Sequence, residues 1–279
     1  MSQKLSVREL AEFVCRSGDL YSRAEGRRID ALDGIRAQEV LRERRKNKYT
    51  QYSSEVAFKH DFTLANEETT LSGRADGLLI TQKGCVLEEY KACGKFPVQP
   101  NQVDVGQLMI YGAMLAMRSE LSIASLKLIY VQADTFEEKC FSYEFDNSEL
   151  KQILAYMLLC FDLRRRRHWH RTAERHSWLA HKKFPYPDFR FGQRALAGRV
   201  FKAVENGERL LIESPTGSGK TMGTIYPSLK GMKHLEKIFY LTSRNSGAIA
   251  AMKTIDLIDQ ENSNLVSIEI IAKEKLCPG

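Results

Sequence analysis

The apolar positions change period along the chain, and each change marks an element. In residues 5–15, Val7, Leu10, Ala11 and Val14 recur at i, i+3, i+4 and i+7, which predicts a short helix. A second helix starts near Asp33-Gly34 and runs through Gln38 and Leu41 into the charged run Arg42–Lys48. The period then falls to two. Segments 54–64, 71–81 and 85–91 read as strands, with Gly84 supplying a turn between the last two. Pro97 and Pro100 mark a loop, 103–118 reads as a buried helix, and 125–132 and 139–145 as strands. The clearest helix is 149–163, with its stripe Leu150, Ile153, Leu154, Met157, Leu158 and Phe161. A basic, His-rich stretch follows. The joint Phe184-Pro185-Tyr186-Pro187 then divides the chain near residue 180, into domains 1–180 and 181–279. Beyond it come a helix at 192–206, a strand at 209–213, a glycine-rich loop, a helix from about 220 and a strand at 237–242. This alternation predicts an α/β protein whose second domain carries a parallel sheet.

Composition narrows the class. Hydrophobic residues are 43% and charged residues 28%, enough for a packed core. No apolar run approaches the ~18–20 residues of a membrane span. The start MSQKLSVREL has no apolar leader stretch. Six cysteines without a CxxC pair argue against a disulfide scaffold and a standard zinc site. The expectation is a soluble cytoplasmic or nucleoid-associated protein with no membrane partner. The net charge of +7 suits nucleic acid but is weak on its own.

Two constellations carry chemistry. In the first, Asp76 sits in Gly73-Arg74-Ala75-Asp76-Gly77, and Glu88-Glu89-Tyr90-Lys91 closes the next strand. Adjacent antiparallel strands can bring Asp76 near Glu89, and Glu89 and Lys91, at i and i+2, share a face. Two carboxylates and a lysine suit a hard divalent cation that acidifies a bound water. Glu88 faces the other way and receives no role. The same spacing also fits a solvated hairpin with charged strand ends.

The order α, three strands, α, strand, with Asp76, the Glu89/Lys91 pair and then Gln107 and Tyr111 on the following helix, resembles the RecB-like branch of the PD-(D/E)xK nucleases. The resemblance implies a restriction-endonuclease-like αβββαβ core over roughly residues 5–165. It also implies Mg²⁺ or Mn²⁺ held by Asp76 and Glu89, with Glu55 in the position of a further acidic residue often found there. Lys91 would orient the attacking water, Gln107 and Tyr111 would line the active site and DNA path, and the substrate would be DNA, single-stranded or flapped. One position departs: Gln38 stands where many members carry a metal-binding histidine, and a carboxamide is the poorer ligand. A catalytically silent DNA-binding module is therefore a rival reading.

The second constellation is Ser214-Pro215-Thr216-Gly217-Ser218-Gly219-Lys220-Thr221, between an expected strand and a helix, the context of a phosphate-binding loop. Lys220 would reach the β/γ-phosphates of ATP and Thr221 its Mg²⁺. Thr216, Gly217, Ser218 and Gly219 would cradle the phosphates. The segment resembles superfamily 2 helicases of the XPD/DinG-like class. There the stretch ending at Gln193 would recognise adenine, 240–245 would contact the DNA backbone, and Cys277 would be the first of four iron–sulfur ligands, the others lying beyond it. No Asp-Glu-x-His box follows residue 221, so ATP-driven unwinding by this chain alone is not expected; a DNA-dependent ATPase remains the other rival. Arg164–Arg167 could track phosphates or be solvated. His168, His170, His176 and His181 offer no i, i+4 pair for a metal.

Overall fold

The computed structural model describes residues 3–17, 29–118, 123–232, 237–261 and 265–272. The protein is α/β. It divides into two compact units, Met1–Arg166 and Arg167–Gly279.

The first unit opens on β1 (Gln3–Ser6), too short for a period to show in the sequence, which runs directly into α1 (Val7–Cys15). Ser6 caps that helix, its side chain accepting the Glu9 N–H at 3.0 Å. Then follow α2 (Ala31–Lys48), β2 (Tyr52–Leu64), β3 (Glu67–Thr81), β4 (Gly84–Cys93), α3 (Gln102–Arg118), β5 (Ile123–Gln132), β6 (Glu138–Tyr143) and α4 (Asn147–His181). Ala65 and Asn66, both at positive φ, form the two-residue turn between β2 and β3 that right-twisted strands favour.

The strands form one mixed sheet in the order β1-β3-β4-β5-β6, with β2 also on β3. The pairs β1–β3 and β4–β5 are parallel, the others antiparallel. β2 follows β3 along almost its whole length. The other edge of β3 is shared: β1 takes Thr69–Ser72 and β4 takes Gly77–Thr81. Residues 73–76 carry neither, so the sheet forks there.

Both faces are covered. Leu5, Leu10, Leu71, Leu87, Leu108, Leu126, Leu128, Leu150 and Leu154 make one core with α1, α3 and the start of α4. Adjacent strand positions point to opposite faces, so Ile129, Val131 and Tyr90 meet Ala37 and Leu41 of α2 on the other side.

Helix α4 extends 35 residues, far past the expected 149–163. No glycine or proline interrupts it before Pro185, and i, i+4 pairs Asp162–Arg166 and Glu174–His170 support its polar part. Its last turns belong to the second unit with α5 (Gln193–Asn206), α6 (Lys220–Gly231) and α7 (Asn245–Ile258). The Phe184–Pro187 joint lies inside that unit, Phe184 stacking on Phe189 at 3.9 Å between ring centroids.

One expectation fails. Residues 209–213 and 237–242, expected as strands of an incomplete parallel sheet, pair with nothing in a sheet, and no ladder forms among the described residues of the second unit. Leu211 is 100% exposed and Leu241 89%. A strand needs a neighbour to take its N–H and C=O groups; composition alone cannot supply one.

Candidate functional site

The fork assembles the first site. The last β3–β4 pair on this side is Gly77 with Glu88; one step further stand Asp76 and Glu89. Here the ladder gives way to a side chain: Tyr90 N–H donates to Asp76 Oδ2 at 2.8 Å. The Arg42 guanidinium from α2 donates to Asp76 Oδ1 at 2.5 Å and pairs with Glu55 Oε1 at 3.2 Å. Arg74 holds the other Glu55 oxygen at 3.0 Å. Glu55 itself adopts φ 53°, a kink directly across from Asp76.

Glu89 is 3% exposed. Its Oε1 accepts from Lys91 Nζ at 3.0 Å and Gln107 Nε2 at 2.8 Å, while Gln107 Oε1 accepts from Lys91 at 3.0 Å. Glu89 Oε2 is buried and has no partner. Burial drives the Glu89 carboxyl up to about 7; Lys91 opposes the shift and Asp76 adds to it. Lys91 also lies 3.7 Å from Asp104, which Tyr130 Oη holds at 2.8 Å. The Tyr111 hydroxyl accepts the Arg74 N–H at 3.0 Å, and burial raises it to about 12. Gln107 and Tyr111 are both buried, Gln107 against Glu89 and Lys91 and Tyr111 against the Arg74 main chain.

Sequence reasoning brought Gln38 of α2 to the site but missed Arg42 and Arg45. Gln38, Leu41, Arg42 and Arg45, at i, i+3, i+4 and i+7, are its inward stripe, in largely polar form. Gln38 Nε2 donates to Tyr90 O at 3.1 Å, which places it beside the site. Arg45 binds Glu88 at 3.2 Å and Glu138 at 2.6 Å. Glu88 is thereby a buried structural anchor, also accepting from Tyr90 Oη at 2.6 Å. The helical spacing of those three polar residues was the available signal.

Among the described residues no group of three or more His, Cys, Asp or Glu side chains is arranged to hold a metal. Asp76 and Glu55 are engaged by arginine. The feature that fits a divalent ion is the vacant, buried Glu89 Oε2 across from Asp76, a hard oxygen with remaining capacity.

In the second unit Gly217 (φ 80°) and Gly219 (φ 79°) supply left-handed backbone, and α6 begins at Lys220. Lys220 Nζ donates to the Ser214 and Pro215 carbonyls at 2.8 and 3.0 Å. Ser218 Oγ lies 2.7 Å from Ser214 Oγ and donates to Pro215 O at 2.8 Å. Thr216 is exposed at the tip, and Thr221 sits in the first turn of α6. Gln193 is 3% exposed. Its amide donates to Gly219 O and accepts from Arg190 N–H, each at 3.0 Å, while Arg190 Nη1 donates to Gly217 O at 2.7 Å. Gln193 thus fastens the loop to the start of α5. Cys277 lies outside the described residues.

No family model matches the chain. Over 61 residues it is 34% identical to the "Probable ATP-dependent helicase MJ0942" of Methanocaldococcus jannaschii; that stretch is 22% of this chain and 9% of that protein. The chain therefore matches only a small part of that relative's length, and the similarity supports a helicase link and nothing finer. The crystal structure of SSO0001 is 15% identical with a TM-score of 0.39, covering 57% of this chain and 77% of that one. No helix among the described residues is long and apolar enough to cross a membrane.

Proposed function

We propose that the first unit is a divalent-metal-dependent DNA nuclease, and that the second binds ATP through the Ser214–Thr221 loop, within a helicase-related protein of DNA repair or processing. One observation supports the nuclease reading above all: Glu89, buried across the fork from Asp76, keeps Oε2 empty. An unsatisfied buried carboxylate oxygen is costly, and a hard cation suits it. Asp76 and Glu89 would hold Mg²⁺ or Mn²⁺, with Glu55 assisting. Such an ion, when bound, supplies Lewis acidity to a phosphate and acidifies a water. Lys91, held by Glu89 and Gln107, orients the attacking water. Gln107 fixes both Glu89 and Lys91, and Tyr111 fixes the main chain two residues before Asp76. In the second unit Lys220 would exchange its carbonyl partners for ATP phosphates, Thr221 would meet the nucleotide's Mg²⁺, and Gln193 would lie beside the adenine.

Cleavage of single-stranded DNA with Mn²⁺, comparing wild type with Lys91→Ala, tests the reading; equal rates would refute it. The Arg42–Asp76 pair favours a second reading, a DNA-binding module without catalysis. Absence of any Asp76-dependent heat on Mn²⁺ titration would select that one.

A further inference from the structure

The sheet fork holds a cation of the protein's own. The Arg42 guanidinium reaches Asp76 Oδ1 at 2.5 Å and Glu55 Oε1 at 3.2 Å, with its side chain only 17% exposed. It thereby spans two of the three carboxylates assigned above to a divalent ion. The third, Glu89, is left with an empty buried oxygen. One positive group and one ion cannot both take Asp76 Oδ1 without strong repulsion. We infer that Arg42 is an internal competitor for the metal: it neutralises Asp76 and Glu55 in the metal-free protein and must leave Asp76 before an ion binds. The inference rests on the metal reading of Asp76 and Glu89.

Three features make this arrangement reversible. Arg42 Nε is buried without a partner, so its seat does not satisfy the whole guanidinium. Arg74 already holds Glu55 Oε2, so Glu55 keeps a cation when Arg42 departs. The Arg42 side chain is 17% exposed, so water reaches it and the guanidinium can leave Asp76 while Arg45 keeps Glu88 and Glu138. The consequence is a threshold: the site loads only when divalent metal is concentrated enough to displace the guanidinium.

The test is calorimetric titration of Mn²⁺ into the full chain, as wild type, Arg42→Ala, Arg42→Gln and Asp76→Asn, with thermal melting alongside. The glutamine variant keeps a hydrogen-bonding side chain without the charge, in case alanine perturbs folding. Competition predicts roughly tenfold tighter Mn²⁺ binding in either Arg42 variant. It also predicts a lower melting temperature without metal and a larger rise on adding Mn²⁺. Asp76→Asn loses the binding. If Arg42 variants bind no more tightly than wild type while Asp76→Asn abolishes binding, the competition is overturned and the metal site stands. If no protein gives Asp76-dependent heat, the metal reading falls and the competition with it.

Discussion

The Tyr111 hydroxyl accepts the Arg74 N–H at 3.0 Å, an approach that the glycine at position 73 makes possible. A Cβ added to Gly73 would lie 2.7 Å from that hydroxyl and 2.9 Å from Val7 Cγ2. Gly77 admits the Tyr52 hydroxyl in the same way, and Tyr52 in turn lies 2.7 Å from Tyr90 Oη. The glycines on either side of Asp76 are thus seats for two tyrosines, and through them the fork is clamped.

Gly73→Ala should destabilise the protein by about 1–3 kcal/mol, the usual cost of overpacking a filled site. Urea unfolding measures it. A neutral result would show that Tyr111 yields without cost and does not clamp the fork.

Lys91→Ala should lower Mn²⁺-supported cleavage by about a hundredfold or more, the scale for a group that positions or moves a proton. Gln107→Ala should lower it less, because Glu89 and Lys91 still hold each other. Single-turnover cleavage of single-stranded DNA ranks the three proteins.

Stability of the metal-free protein should fall between about pH 4.5 and 7. Glu89 ionises near its ordinary 4.5 when unfolded but keeps its proton to about 7 when folded. Across that window the folded state binds the extra proton, so rising pH favours unfolding. Urea midpoints at pH 5 and pH 8 should separate more in wild type than in Glu89→Gln. Equal separation would remove Glu89 as the source.

Lys220→Ala should weaken ATP binding by about ten- to a hundredfold, as loss of a charge-assisted hydrogen bond does. Fluorescent-nucleotide titration reads it directly, and unchanged affinity would place the nucleotide elsewhere.

Lys230 closes the end of α4, its ammonium donating to the carbonyls of Leu179 at 2.6 Å and Ala180 at 2.9 Å. A cation at a helix C-terminus is stabilising. Lys230→Met should cost about 1 kcal/mol, seen as a lower melting temperature of the second unit; no change would mean water replaces the ammonium fully.

The sequence by itself determined most of the succession of helices and strands in the first unit, because α1, α3, the start of α4 and the strands after β1 rest on a period of apolar residues that local geometry reads directly; β1 is too short to show one. It also placed Asp76 beside Glu89, because hairpin spacing fixes register, and Lys91 on the face of Glu89, because strands alternate. The glycine loop before Lys220 was legible for the same local reason. Only tertiary structure decided what those carboxylates touch. Arg42 and Asp76 are 34 positions apart, and Gln38 and Tyr90 are 52. These pairs depend on how α2 lies on the sheet, and α2 has no apolar stripe from which that docking could be read. The unpaired segments at 209–213 and 237–242 show the same limit from the other side: apolar, strand-like residues become a sheet only where a neighbouring backbone completes their hydrogen bonds.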